Sequence, residues 1–190
     1  MKPHTRVLGF DDGPFRFREG IAPVVGVVMR LPNYVEAVMT GSVQVDGKDS
    51  TAVMAGMVNG SRYRDQCRLI MIDGGALGGF NVVDIQKLHA ITRIPVATVS
   101  RKPPDHDAVE RALKGHFDNW QERLDIMSSG RGYTTRLGRH TLHGRCSGIE
   151  PGELRRFIKA SVVQGAVPEP IRVAHLMAAA VVKGESRGRP

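Results

Sequence analysis

Two apolar runs in this chain end in an acid followed by glycine. One is Leu69-Ile70-Met71-Ile72, which leads into Asp73-Gly74-Gly75. The other is Val7-Leu8-Gly9-Phe10, which leads into Asp11-Asp12-Gly13. Runs this short and this sharply bounded read as buried strands. A carboxylate at the exit of such a strand stands at the carboxyl edge, where open α/β sheets bind their ligands. If the two strands lie side by side, Asp11 and Asp73 form a carboxylate pair. Paired carboxylates hold hard divalent cations, which stabilise the attacking and leaving oxygens of a phosphodiester under hydrolysis. For Asp73 alone the plainer role is a turn-former or helix cap in Asp-Gly-Gly; its pairing with Asp11 tips the balance toward chemistry. Asp11 and Asp12 are adjacent, so on a strand they point to opposite faces. Asp11 shares its face with Val7 and Gly9, and Gly9 has no side chain to obstruct a close approach. Asp12 then reads as a solvated turn residue.

The elements that position this pair begin with a strand over residues 6–11, closed by the turn signal Asp12-Gly13-Pro14. A Val-rich strand follows over 21–29, and another over 34–45 after Leu31-Pro32-Asn33. Closely spaced strands with short turns predict an antiparallel meander. A helix opens near Asp49-Ser50-Thr51, with Val53, Met54, Met57 and Val58 at helical spacing. The Asp73 strand spans 68–73, a glycine-rich loop spans 73–79, and a helix is predicted over 81–91. Ile94–Ser100 is a further buried strand. One or two helices span 106–127, a short hairpin turns around Gly138, an amphipathic helix spans 151–163, and Pro168-Glu169-Pro170 opens a final helix. The result is an α/β domain over 1–182 with a mixed sheet: a meander, then parallel crossovers, with helices on its faces. A polar tail covers 183–190.

Composition narrows the partners. The 190 residues carry a net charge of +8, with 41% hydrophobic and 24% charged residues. That is ordinary for a globular domain with a basic outside, and it favours a polyanion, nucleic acid first. The two cysteines, Cys67 and Cys146, show no zinc-finger spacing and fit buried thiols in a reducing compartment. The amino terminus lacks the apolar core of a signal peptide, and no apolar run approaches bilayer length. A cytoplasmic protein with no membrane contact is expected.

Other residues divide by context. Asp49 caps a helix as readily as it binds a metal, and Asp46 fits an Asp-Gly turn. The 74–79 loop matches neither a P-loop nor a dinucleotide fingerprint. His175 lies one helical turn after Ile171, where a lone histidine is more often packed or exposed than catalytic. No serine stands in a nucleophile-elbow context. Basic residues cluster at Arg62/Arg64/Arg68, at Arg131/Arg136/Arg139/Arg145 and at Arg155/Arg156/Lys159. Each alone reads as a solvated face, although Tyr63 and Tyr133 offer stacking surfaces beside them.

Six words of sequence carry a resemblance. They are Leu8-Gly9-Phe10-Asp11-Asp12-Gly13-Pro14-Phe15, Val45-Asp46-Gly47-Lys48-Asp49-Ser50-Thr51, Ser61-Arg62-Tyr63, Ile70-Met71-Ile72-Asp73-Gly74, Gly79-Phe80-Asn81-Val82-Val83-Asp84-Ile85, and Pro168-Glu169-Pro170-Ile171-Arg172-Val173-Ala174-His175. Together they resemble the endonuclease dU family, a largely archaeal group similar to endonuclease V. The resemblance implies a ribonuclease H-like fold. It also implies a Mg²⁺- or Mn²⁺-dependent DNA endonuclease acting near a deaminated base, deoxyuridine or deoxyinosine. By motif, Asp11, Asp49 and Asp73 would hold metal, and His175 would assist water positioning or proton transfer. Arg62, Tyr63, Arg101 and Lys102 are candidates for contact with nucleic acid, DNA first and RNA second. A non-catalytic nucleic-acid binding protein on the same fold is the alternative. The Tyr-Ile-Pro-Gly wedge of endonuclease V has no counterpart here.

Overall fold

The computed structural model describes residues 4–16, 20–103 and 105–186. The expected meander forms from β1 (Arg6–Asp12), β2 (Ile21–Arg30) and β3 (Tyr34–Gln44), all antiparallel. Helix α1 (Ser50–Asn59) crosses back, and β4 (Cys67–Asp73) pairs parallel with β1. A two-stranded ribbon, β5 (Ala76–Leu77) and β6 (Asn81–Val82), precedes α2 (Ile85–Thr92). Strand β7 (Val96–Val99) then pairs parallel with β4. Helices α3 (His106–His116) and α4 (Trp120–Ser128) lead to the hairpin β8 (Arg131–Leu137) and β9 (His140–Ser147). Helices α5 (Pro151–Ser161) and α6 (Glu169–Lys183) finish the described chain. The main sheet has seven strands in the order β3-β2-β1-β4-β7-β9-β8.

Alternation along the strands divides the core in two. Leu8, Phe10, Ile70 and Ile72 pack with Met54 and Val58 of α1 and with Ile85 and Leu88 of α2. On the other face Val7, Leu69 and Met71 meet Ile171 of α6 and Leu154, Phe157 and Ile158 of α5. Val25, Val27 and Met29 of β2 meet Ala174 and Ala178 of α6. Burial on both faces explains why the central strands read as continuous apolar runs.

Two expectations change. The helix predicted from Asn81 begins at Ile85, because the Asp84 carboxylate caps it by accepting from the amides of Gln86 (3.0 Å) and Lys87 (2.9 Å). Asn81 is fully buried and hydrogen-bonds across to α1 instead. Part of the stretch predicted as a glycine-rich loop forms strand β5 of the β5–β6 ribbon instead. The polar tail begins after Lys183, where Gly184 (φ 79°) closes α6. From residue 187 on, the tail lies outside the described residues.

Helix α6 lies directly on β1, and two glycines permit it. A Cβ on Gly9 would stand 2.2 Å from the carbonyl carbon of Pro170. A Cβ on Gly13 would stand 2.7 Å from the carbonyl oxygen of Ala178. Gly9→Ala should therefore push α6 off the sheet and cost about 1–3 kcal/mol, read as a lower denaturation midpoint in urea. Gly56, exposed in the middle of α1 with nothing within 4 Å of its would-be Cβ, should do the opposite: Gly56→Ala should gain about 0.5–1 kcal/mol.

Candidate active site

Strands β1 and β4 run parallel with Gly9 beside Met71 and Phe10 beside Ile72. Asp11 and Asp73 are the next residues in that register, so they sit side by side on one face of the sheet: Asp11 is buried beneath α6, while Asp73, at the end of β4, is exposed. Asp11 is 5% exposed. One of its oxygens, Oδ1, accepts from the amide of Asp12 (2.9 Å). With its proton on Nδ1, His175 of α6 donates to the other, Oδ2 (2.7 Å). The His175 side chain is 59% exposed, so its remaining nitrogen can exchange protons with water.

Asp12 points to the other face, as alternation requires. It is not simply solvated: its Oδ2 accepts from the amide of Gly78 (3.0 Å). The sequence reading missed this engagement. The signal lay in the glycine-rich loop, whose amides are free to approach an acid.

The acids raise one another's affinity for protons. Burial, then the charge of Asp73, then that of Asp12 push the Asp11 carboxyl up to about 8, against the donation from the Asp12 amide. Desolvation also raises Asp73, although His175 and Arg101 pull it back. Asp12 is raised by burial and held down by the Gly78 amide, its own amide and His175. Ionised together, the three acids would carry more negative charge than His175 and Arg101 balance.

The structure places the other expected residues unevenly. Arg101 follows β7 and acts on Asp73 electrostatically; Lys102 is the next residue. Asp49 does not join the pair. Its carboxylate accepts from the Asn81 side chain and from the amide of Gln44 (3.1 Å). It occupies the N-cap position of α1 without capping it, while Asn81 Oδ1 takes the amide of Ser50 (3.0 Å). Among the described residues no three His, Cys, Asp or Glu side chains converge closely enough to hold a metal. Arg62 and Tyr63 lie just ahead of β4, at the opposite edge of the sheet. The Arg62 guanidinium packs over the Tyr63 ring (5.1 Å to the centroid) and donates to its hydroxyl (3.1 Å).

A buried arginine supports the loops behind the acids. Arg123 is 6% exposed. It donates to the carbonyls of Gly47 (2.9 Å), Asp46 (2.8 Å) and Phe80, and stacks on Phe117 (4.1 Å). The Asp46 amide donates to Gly78 (2.8 Å), the residue whose own amide holds Asp12. Arg123 stands three residues after Trp120, on the apolar stripe of α4. A charge on that stripe was the available signal for it.

A mixed sheet with an antiparallel meander, parallel crossovers and acids at its carboxyl edge defines the ribonuclease H-like class. Solved structures agree on the fold. Endonuclease V of Ciona intestinalis, in complex with DNA containing an inosine, superposes with a TM-score of 0.57 at 12% identity, over 90% of this chain and 82% of that one. A protein of unknown function from Archaeoglobus fulgidus superposes with a TM-score of 0.82 at 35% identity, over 94% of this chain and 99% of that one. A UPF0215 protein of Methanothermobacter thermautotrophicus is 43% identical over 99% of this chain and 93% of its own length. The model of the endonuclease dU family matches residues 3–182, and the chain belongs to that family.

The raised Asp11 sets a pH dependence. A folded carboxyl near 8 binds a proton that the unfolded chain, near 3.9, has released. Its contribution to stability is complete below about pH 4 and is lost as pH rises through about 8. In chelator, Asp11→Asn removes that term. The melting temperature of the wild type should therefore fall relative to the variant between pH 5 and pH 9. Parallel curves across that range would assign the dependence to other groups.

Proposed function

We propose that the protein is a divalent-metal-dependent DNA endonuclease that hydrolyses a phosphodiester near a deaminated base, deoxyuridine or deoxyinosine. The observation that carries this reading is the in-register pair Asp11 and Asp73 at the carboxyl edge, with His175 bonded to Asp11. The donors suit the metal: carboxylate oxygens with excess negative charge match Mg²⁺ or Mn²⁺. When bound, the ion would supply Lewis-acid stabilisation of the phosphoryl oxygens and a more acidic water. Asp11 and Asp73 would be its ligands. Asp12 adds negative field from the other face.

His175 orients the Asp11 carboxylate through Nδ1, while its exposed nitrogen moves a proton between the site and solvent. Arg101 and Lys102, in the segment that follows β7 just past the register partner of Asp73, would meet the phosphate on either side of the cleaved bond. A DNA partner draws support from the net charge and from the DNA seen with Ciona endonuclease V. Membrane spanning gains none from the described helices, since none is long and apolar enough to cross a bilayer.

A second reading has its own support. Asp49 is engaged by Asn81 and Gln44, which leaves two acids where the motif offers three. A protein that binds nucleic acid on this fold without cutting would tolerate that arrangement. One assay separates the two readings. Labelled oligonucleotides containing deoxyuridine, deoxyinosine or no lesion are incubated with Mg²⁺, Mn²⁺ or chelator. The nuclease reading expects metal-dependent product, and Asp11→Asn or Asp73→Asn should each reduce it by at least roughly 100-fold. Product that persists in both variants, or none from the wild type, rejects it.

A further inference from the structure

From Ile126 to Ile149 the chain contains Arg131, Arg136, Arg139, Arg145, His140 and His143 and no acid. This stretch is the hairpin β8–β9, and its cations divide by position. At the root they are already used. Arg145 donates to the carbonyls of Ser129 (2.6 Å) and Gly130 (2.9 Å), and Arg131 pairs with Glu150. At the tip they are not. Among the described residues Arg136 reaches only the carbonyl of Gly138 at 3.4 Å, and Arg139 only the ring of His140 at 3.3 Å. Both arginines are exposed. Among the described residues neither faces a carboxylate.

The hairpin also stands in a particular place. Val99 is the register partner of Asp73, and the next residue, Ser100, bridges to His143 of β9. From His143 the strand continues to the turn at Gly138, about 16 Å past the carboxyl edge at strand rise. The tip therefore projects beyond the edge that holds Asp11 and Asp73, beside Arg101 and Lys102. It is held stiffly. Leu142 and Thr135 are buried, and the Tyr133 hydroxyl donates to the carbonyl of Thr98 (2.6 Å). The opposite face of the hairpin presents Thr134, Arg136, Thr141 and His143, which are at least partly open to solvent.

We infer that the tip of the β8–β9 hairpin is a phosphate-gripping arm that holds DNA against the carboxyl edge. Arg136 and Arg139 contact the backbone, and Arg101 and Lys102 continue the basic track toward Asp73. The contacts are to phosphates, so the arm contributes affinity and register rather than base choice. The inference rests on DNA being the partner, as proposed above, but not on cleavage.

The test is binding of a fluorescein-labelled undamaged duplex, followed by anisotropy in chelator across a salt series, where no metal-dependent cutting enters. The double variant Arg136→Ala/Arg139→Ala should weaken binding at least tenfold at moderate salt. It should also lower the slope of log affinity against log salt by about 2, near 0.9 per lost phosphate contact. Arg136→Lys/Arg139→Lys should keep most of the slope. Arg68→Ala/Arg93→Ala, exposed at the amino ends of β4 and β7 and so at the opposite edge, should leave it unchanged, and thermal melting of each variant checks its fold. An unchanged slope in the tip variant, an equal loss from the Arg68/Arg93 pair, or no binding by the wild type overturns the arm. A wild type that binds the duplex but gives no product when metal is restored would count against the nuclease reading and leave the arm standing.

Discussion

The closeness of α6 to β1 is the constraint on which the candidate site depends. The helix touches the strand backbone at Gly9–Pro170 and again at Gly13–Ala178. Between these contacts the strand advances about 13 Å over four residues and the helix about 12 Å over eight. The two elements therefore travel together, nearly in step. Asp11 lies midway along the strand segment, about 7 Å from Gly9, and His175 lies about 7.5 Å along the helix from Pro170. Matching rises bring the imidazole to the carboxylate at 2.7 Å. A side chain at either glycine would lift the helix, and the hydrogen bond would be lost before any acid was changed.

That closeness has an electrostatic consequence. Covering Asp11 with α6 removes water from a carboxylate that already stands beside Asp73 and Asp12. Without a cation, the cheapest response is for Asp11 to hold a proton, which is the meaning of a value near 8. His175 and Arg101 offset part of the repulsion on Asp73, and backbone amides offset part of that on Asp12. A sheet edge arranged only for stability would not gather three acids this way. On the metal-binding reading proposed above, such carboxyls would give up their proton as a cation binds.

Much of this was legible in the sequence because strand alternation and bounded apolar runs are local signals. The meander, the parallel return of β4 and the face shared by Gly9 and Asp11 follow from periodicity. The opposite orientation of Asp12 follows from the same rule. What alternation could not supply was long-range hydrogen bonding. Asp49 has the composition of a ligand and the position of a helix cap, yet its partner is Asn81, thirty-two residues away. Asn81 itself reads as the start of a helix until Asp84 is seen to cap α2 and Asn81 to serve α1. Arg62 and Tyr63 are basic and aromatic in the right proportion for nucleic acid. They precede β4 in the sequence, and its parallel pairing with β1 puts that amino end opposite the edge that holds Asp11 and Asp73.

Arg123 shows why a buried charge can serve the site without touching it. Its guanidinium collects three carbonyls from two loops, Asp46, Gly47 and Phe80. Burying that charge is costly unless each donor finds an acceptor, and it finds them in the loop carbonyls and in the side-chain oxygen of Asn119 (3.2 Å). The same loops hold Asp46 at a left-handed φ of 56° and aim the Gly78 amide at Asp12. Helix α4 thus fixes one face of the acid edge through backbone, as α6 fixes the other through His175. The two supports are independent: one works by close packing over glycine and the other by satisfying a buried cation. Loosening the Arg123 clamp would release Asp12 from Gly78 while leaving Asp11 bonded to His175. The roles of the two adjacent acids are therefore separable, although the sequence places them side by side.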